Sequence, residues 1–451
     1  MDKKIFTGYA RAVINPPLGT PIVGYYHLRK TKGILDDIYA AALAISDGNN
    51  TSLIISVEVC ELDTEQCTAM RSRVAAATGI HPDAILINCS HTHTGPQVGA
   101  SGALGTGSTA YEYEEFLINT LANIGREAMS TLSPSVISFS TAEAKNISFC
   151  RRFRMKSGKV QTNPGVENPD IDHALGTPNE EVRTIKIERE CGDDVYVVCF
   201  GTHADSVGGD YISGDWPGVV RSTIEGAIPG SKCLFLTGSQ GDLGHINPFP
   251  SEADKRGLHY DSFDGVPRGY EHTKHMGRVV AAAALSSSGK GIDLAPGALK
   301  FATEKMDVPA NKENDKVDEA RALLDLYNNG RADEIPEKAM ELTTVVAEAN
   351  RIVDLKDGPD TFPFLLSAIT VGDLAFIGVP GELFSDIGRE VARISPFPAT
   401  FVCCLTNGGD CYFPTSKAYD EGGYETRSSR LKRGVEEIVL KTVEKLLSEL
   451  K

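Results

Sequence analysis

The chain has 451 residues, of which 41% are hydrophobic and 24% are charged, a balance that excludes wholesale disorder and predicts an enzyme-sized folded core. Its formal net charge of -16 would repel phosphate backbones, so nucleic-acid binding is not expected as the main task. The sequence begins without an apolar leader, and no run approaches the roughly 18 apolar residues of a membrane-spanning helix. We therefore expect a cytoplasmic protein without stable membrane association, and its ten scattered cysteines are expected to be reduced.

Apolar, β-like runs alternate with amphipathic stretches along the chain. Strands are predicted at 51–59, 84–89, 183–190, 195–203 and 232–237, with two more inside 364–379. Helices are predicted at 62–78, 111–132, 272–285 and 427–451, and a charged helical insert at about 304–356. The pattern predicts an α/β fold, with mixed β-sheets flanked by helices, in a single large domain that carries the helical insert.

The segment Ser90–Pro96 reads Ser-His-Thr-His-Thr-Gly-Pro and follows a predicted strand directly. In an extended segment, residues two apart point to the same side, so His91 and His93 would face one pocket. Imidazole is a common metal ligand, and the pair therefore indicates a metal or catalytic site. A polar turn with both rings in solvent is the alternative that this spacing leaves open.

Two further segments follow predicted strands in the same way. His203 ends the strand at 195–203 and precedes a glycine-rich, acidic loop, which is where α/β proteins commonly place their sites. A loop histidine with a satisfied hydrogen bond is the alternative at this position. Residues 238–248 follow the strand at 232–237, and their glycines permit close approach of a ligand to the backbone, without the lysine of a phosphate-binding loop.

Glu382 lies in the segment Gly378–Phe384, after another buried strand. Its carboxylate has two interpretations, a metal ligand or a cap for the helix expected to open near Ser385. The tyrosines further along, at 412 and 424, have no function that their spacing alone indicates.

Taken in order, these segments resemble the catalytic domain of the neutral ceramidase family. The run Ser90–Pro96 is similar to the Ser-His-Thr-His-Ser/Thr-Gly-Pro signature of that family. The opening of the chain also fits, at Gly8–Asn15, the turn Gly24-Tyr25 and Gly33–Ala40. The resemblance covers most of the chain and fades over the insert.

The resemblance implies one zinc ion per chain, since the family holds zinc through two histidines, a glutamate and a tyrosine. The matching positions are His91, His203, Glu382 and Tyr412. Asn407, Tyr412 and the pair Tyr424-Glu425 keep the intervals of the family motif. His93 and Tyr424 are the implied catalytic residues, and the implied substrate-binding residues are Tyr25, Arg151, Asp242 and Gly244.

Two departures from the family bear on function. The catalytic serine of the family lies in a Gly-Asn/Asp-x-Ser-Pro-Asn motif, and Gly244 stands at its place here. Full-length members also carry a signal peptide and a C-terminal β-sandwich domain, neither of which we expect in this chain. Both departures argue against ceramide as the substrate.

The expected function is a zinc-dependent hydrolase that cleaves an amide or ester bond in a small polar substrate. Zinc with an open coordination position lowers the pKa of water to about 7, so the reaction needs no serine nucleophile. His93 would then carry the proton, and Tyr424 would donate a hydrogen bond to the developing oxyanion. Two alternatives stay open: a non-catalytic metal- or metabolite-binding relative of the hydrolase, and a zinc enzyme that acts on a sugar or cyclitol derivative.

Overall fold

Two β-sheets packed face to face form the centre of the structure, a computed structural model that describes residues 4–100, 108–260, 265–409 and 411–451. The larger sheet is nine-stranded and mixed. In spatial order its main path is Ser231–Thr237, Asp194–Phe200, Glu181–Arg189, Ser133–Glu143, Ile5–Val13, Tyr39–Ser46, Thr51–Val57 and Ile85–Cys89, and the short strand Ile292–Asp293 pairs with Ser133–Glu143. The second sheet has four strands, in the order Leu299–Pro309, Thr361–Val371, Leu374–Gly378 and Ala399–Cys403.

Helices cover the outer faces of both sheets, and the fold is therefore α/β with mixed sheets flanked by helices, as predicted. Strand residues alternate between the two faces, so Ile54 packs between the sheets while Leu53 and Ile55 face the helices. The helices among the described residues are α1 (Thr64–Thr78), α2 (Ser108–Ser130), α3 (Asp215–Ala227), α4 (Tyr270–Ser288), α5 (Val317–Asn328), α6 (Ala339–Asp357), α7 (Ser385–Ile394), α8 (Ser416–Glu421), α9 (Tyr424–Ser428) and α10 (Val435–Leu450). Within the described ranges, none of the helices combines the length and the apolar content needed to cross a bilayer.

The helical insert starts later than predicted. Its first six residues, 304–309, belong to the edge strand Leu299–Pro309, in which Met306 and Val308 are buried and their neighbours are exposed. Helices α5 and α6 then occupy the connection between this strand and Thr361–Val371. The long C-terminal helix also starts later, at Val435, because Gly434 before it has a left-handed φ of 104°.

The carboxyl ends of three pairs of parallel strands lie close together, and the candidate site residues follow these ends. The pairs are formed by Thr51–Val57 with Ile85–Cys89, Asp194–Phe200 with Ser231–Thr237, and Leu374–Gly378 with Ala399–Cys403. Hydrogen bonds join their carboxyl ends, because the Thr237 amide donates to Asn88 Oδ1 at 2.9 Å and the Cys404 amide donates to the Thr237 carbonyl at 2.9 Å. The loops that follow these strands therefore meet at one edge of the two sheets.

Candidate metal centre

His91 is held by backbone contacts at the end of the strand Ile85–Cys89. Its amide donates to the Val59 carbonyl at 3.0 Å, and its ring Nδ1 donates to the Cys60 carbonyl at 2.9 Å. Because a carbonyl only accepts, Nδ1 carries a proton, and Nε2 is the ring atom that faces His93 and Glu382. The residue has a φ of 65°, a left-handed conformation that is costly for a side chain and that collects at functional sites.

His203 has the same tautomer for the same reason. Its Nδ1 donates to the carbonyls of Leu243 and Gln240, at 3.0 and 3.1 Å. Its Nε2 accepts from Arg151 Nη1 at 2.9 Å, and a guanidinium can only donate. Burial, together with the charge of Arg151, lowers the pKa of His203 to about 4, so the ring is neutral.

Glu382 aims one carboxylate oxygen at both rings. Its Oε2 lies 3.0 Å from His203 Nε2 and 3.5 Å from His91 Nε2. Although burial alone would raise the pKa of Glu382, His91, His203 and Arg151 lower it to about 2, and the group is ionised. The capping interpretation of this residue is wrong, because α7 starts at Ser385, whose amide donates to Asp242 at 2.7 Å instead.

Together, the ligand atoms of His91, His203 and Glu382 lie within 4.8 Å of one another, and all three residues are buried. Two imidazole nitrogens and a carboxylate oxygen therefore converge on one point, where Arg151 also donates to His203 Nε2. Two histidines and a carboxylate are a donor set that fits a divalent metal ion. The backbone carbonyls on both Nδ1 atoms are the outer partners that metal-binding histidines usually have.

A second group of donors overlaps the first, formed by Cys60, His91 and His93. Burial raises the pKa of the Cys60 thiol well above its usual range, so this sulfur stays protonated. A thiol must lose its proton to bind a metal, and this group is therefore the weaker candidate. All ten cysteines are unpaired in this structure.

Tyr412 lies beside Glu382 at the edge of this site. The two residues are direct partners in a short parallel pair of strands, Glu382–Leu383 with Tyr412–Phe413. Burial and the Glu382 charge raise the pKa of the Tyr412 hydroxyl well above its usual range, while Arg151 lowers it. Its ligation by a metal stays a prediction, since a cation is what would make the phenolate favourable in this place.

His93 lies against His91 and a buried ion pair. The Nε2 atoms of the two rings are 3.3 Å apart, and His93 Nδ1 is 3.8 Å from Asp205 Oδ1. Asp205 receives two hydrogen bonds of 2.9 Å from Arg268 and another from the Tyr25 hydroxyl. Burial lowers the pKa of His93 well below its usual range, and the neutral ring can accept a proton. The two histidines meet as predicted, but through the left-handed turn at His91 rather than an extended segment.

Tyr424 and Arg151 form the opposite side of the site. The hydroxyls of Tyr424 and Tyr26 share a hydrogen bond of 2.8 Å, and the rings of Tyr424 and Tyr412 are 5.9 Å apart. Arg151 Nε donates to Glu425 at 2.8 Å, which fixes the guanidinium beside His203. The neighbouring Arg152 turns away and lies over the Phe384 ring.

Two predicted substrate residues lie behind this surface. Asp242 is buried, and its carboxylate accepts from both the amide and the hydroxyl of Ser385, so it fixes the start of α7. Gly244 is also buried, and an added Cβ would meet Arg151 Cβ at 3.6 Å and Asn163 Oδ1 at 3.9 Å. A serine side chain would therefore fit at 244, so crowding does not explain the glycine.

The site opens into a cavity of about 990 Å³, the size of a small-molecule pocket. Its floor includes the predicted residues Tyr25, His91, His93, Arg151, His203, Glu382, Tyr412 and Tyr424. Sequence analysis assigned no site role to Tyr26, Asp205, Arg268 or Glu425, although the first, second and fourth lie next to or two residues from a predicted site residue. Arg268 has no such signal, because it reaches the site from the far side of a long loop.

Solved structures share this fold. A neutral ceramidase from Pseudomonas aeruginosa matches with a TM-score of 0.73 and 16% sequence identity, over 100% of this chain and 75% of its own. A ceramidase complexed with C2 matches with a TM-score of 0.74, the same identity and the same coverage. No protein-family model and no curated protein sequence matches. The chain therefore has a neutral-ceramidase-like fold, which confirms the fold prediction.

Proposed function

We propose that the protein is a metal-dependent hydrolase that cleaves an amide or ester bond in a small polar substrate. The observation that carries this proposal is the convergence of two histidines and an ionised glutamate on one point at the floor of a large cavity. The solved structures with this fold are named ceramidases, which are hydrolases, and this supports the same class of reaction here. Ceramide itself is not the substrate that we propose.

Zinc is the ion that best suits this donor set, with His91, His203 and Glu382 as ligands and Tyr412 as the fourth. When bound, the metal lowers the pKa of water and polarises the substrate carbonyl. One ion per chain is expected, since the three clustered ligands serve a single centre.

The residues around the metal position suit the proton transfers of hydrolysis. Water adds its oxygen to the carbonyl carbon, the carbon–nitrogen or carbon–oxygen bond breaks, and one proton must move to the leaving group. His93 is neutral and next to His91, so it can accept that proton and return it. Burial raises the pKa of the Tyr424 hydroxyl, which keeps it protonated as a donor to the developing oxyanion.

Hydrolysis by water, without a covalent serine intermediate, is part of the proposal. Gly244 offers no hydroxyl, and Ser239 lines a different cavity together with Arg183 and Gly388. Ser90 precedes the histidine pair, but its Oγ is buried and is not among the residues that line the metal cavity. Neither serine is placed to attack a substrate.

Metal analysis of the purified protein tests this proposal. We expect about one divalent ion per chain in the wild type, and loss of most of it in His203→Ala, because a ligand is removed. The exposed His173 provides a matched control, and His173→Ala should keep its metal. A metal-free wild type, or full occupancy in His203→Ala, would show that the site is wrong. Bound metal without turnover in a screen of amides and esters would instead favour the non-catalytic alternative.

A further inference from the structure

The helical insert forms one wall of the metal cavity. Helix α6 contributes residues to the cavity lining along most of its length, at positions 341–354. Thr343, Ala347, Asn350 and Asp354 recur at three- and four-residue spacing, so they lie on one face of the helix. The polar face of this helix therefore lines the same cavity as the proposed metal ligands.

Two polar side chains on this wall, Asn350 and Asp354, are open to a ligand. Asn350 and Asp354 are exposed, and among the described residues no hydrogen-bond partner is assigned to either side chain. Arg351 uses only Nη1, which donates to the Arg427 carbonyl at 3.2 Å. An amide, a carboxylate and a guanidinium therefore stand within one helical turn, and each is planar and able to form two parallel hydrogen bonds.

Other polar and aromatic groups complete the wall. Gln161 and Asn163 line the cavity from the strand Val160–Thr162 and the turn after it. Tyr327 lines it from α5 and is 38% exposed, so part of this aromatic side chain is open to the cavity. Such a ring offers a flat apolar surface with a polar hydroxyl at its edge.

From this wall we infer that the substrate carries a polyhydroxylated ring, of the sugar or cyclitol class, next to the bond that is cleaved. Vicinal hydroxyls have the spacing that an amide, carboxylate or guanidinium satisfies with paired hydrogen bonds, and the C–H face of such a ring stacks on an aromatic side chain. Both signs of charge occur on the wall, which suits a neutral ring better than a strongly charged group. The inference rests on the proposed function for the reaction, but recognition by the wall is separate from it.

Ligand binding to the metal-loaded protein tests this inference without depending on turnover. The probes are myo-inositol, N-acetylglucosamine and, as an amide without a ring, N-acetylethanolamine. We expect the ring compounds to bind more tightly than N-acetylethanolamine by calorimetry. Asn350→Ala and Asp354→Ala should each weaken that binding about tenfold, because each removes one or two hydrogen bonds. Tyr327→Ala should weaken it through loss of the stacking surface.

A control substitution on α6 separates loss of ligand recognition from loss of folding. Lys356 is exposed on α6 and does not line the cavity, so Lys356→Ala should bind the ring compounds like the wild type. Equal losses in Lys356→Ala and in the wall variants, or no preference for the rings, would overturn the inference. If the inference fails in either way but the protein binds metal and cleaves simple amides, the proposed function still holds. Wall-dependent ring binding in a protein that holds no metal would support the inference and contradict the proposed function.

Discussion

The two ring nitrogens of each ligand histidine have separate tasks. In both His91 and His203, Nδ1 is tied to backbone carbonyls, and this places Nε2 beside Glu382. Backbone carbonyls keep their positions when a side chain is replaced, so the orientation does not depend on any single neighbour. The rings are therefore preorganised for the metal that we propose.

His93 and Tyr424 are expected to act in turnover and not in metal binding. Loss of a general base typically lowers the rate about 10²–10⁴-fold, and loss of one oxyanion donor about 10²–10³-fold. We therefore expect His93→Ala and Tyr424→Phe to cut turnover by these factors while the metal stays bound. Turnover and metal content, measured on a substrate from the screen, check this.

The serines serve as controls for the same experiment. Ser239→Ala and Ser90→Ala should have mild effects, because neither hydroxyl reaches the metal cavity. A dead Ser239→Ala with normal metal content, or an acyl group trapped on a serine, would contradict hydrolysis by water. Ser239 packs against α7, where Gly388 leaves room for it, so its structural role is tested by the same variant.

Strand-end positions pointed to candidate residues, and the family resemblance grouped four of them as metal ligands, but neither indicated their outer partners. The two histidines of the signature, His203 and Glu382 follow strands, and strand ends that feed loops are visible in a sequence. Asp205 and Arg268 form an ion pair across a long separation in the chain, which no local pattern reveals. Asp242 shows the reverse case, since its glycine-rich surroundings indicated a ligand site while its carboxylate binds the start of a helix.

At the scale of elements, the sequence did not predict the edge strand Leu299–Pro309, because its charged residues resemble those of a helix. Residues 304–309 carry charges on the exposed face of Leu299–Pro309, and the sequence resembles that of the helices after it. Only the alternation of Met306 and Val308 with polar residues indicates a strand, and that signal is short. The start of α10 was also predicted too early, because Gly434, which precedes its first residue, was not recognised as a helix boundary.

The start of α3 provides a prediction about pH. Asp215 is fully buried there, and its carboxylate accepts hydrogen bonds from the amides of Ser206, Val207 and Trp216 and from the Ser206 hydroxyl. Burial outweighs these donors and raises the pKa of Asp215 to about 7. The folded state then binds more protons than the unfolded state between about pH 4 and 7, so this group's contribution to stability is present below pH 4 and is lost as the pH rises through 7.

Urea unfolding of the wild type and of Asp215→Asn measures this effect. Between pH 5 and 8, the free energy of unfolding of the wild type should fall relative to the variant by roughly 2–3 kcal/mol, since asparagine does not titrate. A constant offset between the two proteins over this range would mean that the four donors keep the carboxylate ionised. Asp172→Asn, at an exposed position, is the matched control and should show no such change.

At the scale of the whole molecule, the fold class followed from the alternation of strands and helices, but the meeting of three strand pairs did not. That meeting depends on contacts such as Thr237 with Asn88 and Cys404 with Thr237, between segments far apart in sequence. The position of α6 over the cavity is likewise a tertiary property. A charged helix shows a polar face in its sequence, and only the fold decides whether that face meets water or a ligand.

The polar wall leads to a prediction about lipid-like substrates. An apolar channel would gain about 0.8 kcal/mol for every methylene that it buries, which corresponds to about a fourfold gain in kcat/KM for each methylene. The wall of α6 presents Thr343, Asn350, Arg351 and Asp354 to the cavity beside Val346 and Ala347, so an acyl chain along it would cover polar groups as well as apolar ones. For a series of N-acyl amino alcohols of increasing chain length, kcat/KM should therefore stay flat or fall, and detergent-dispersed long-chain members should be poor substrates.

An apolar substitution on the wall should make longer acyl chains better substrates. Asp354→Leu adds an apolar surface at an exposed position, and it should make kcat/KM rise with chain length, whereas Lys356→Leu outside the cavity should not. The measurement is kcat/KM against acyl length below the critical micelle concentration, so that only dissolved substrate is compared. A steep rise in the wild type, or a long-chain member that rivals the best water-soluble substrate, would show that the cavity accepts lipid despite its polar wall. The dependence of kcat/KM on acyl length thus shows whether the substrate contacts the wall of α6. An acyl chain that lies against this wall would cover its hydrogen-bonding groups, which is unfavourable.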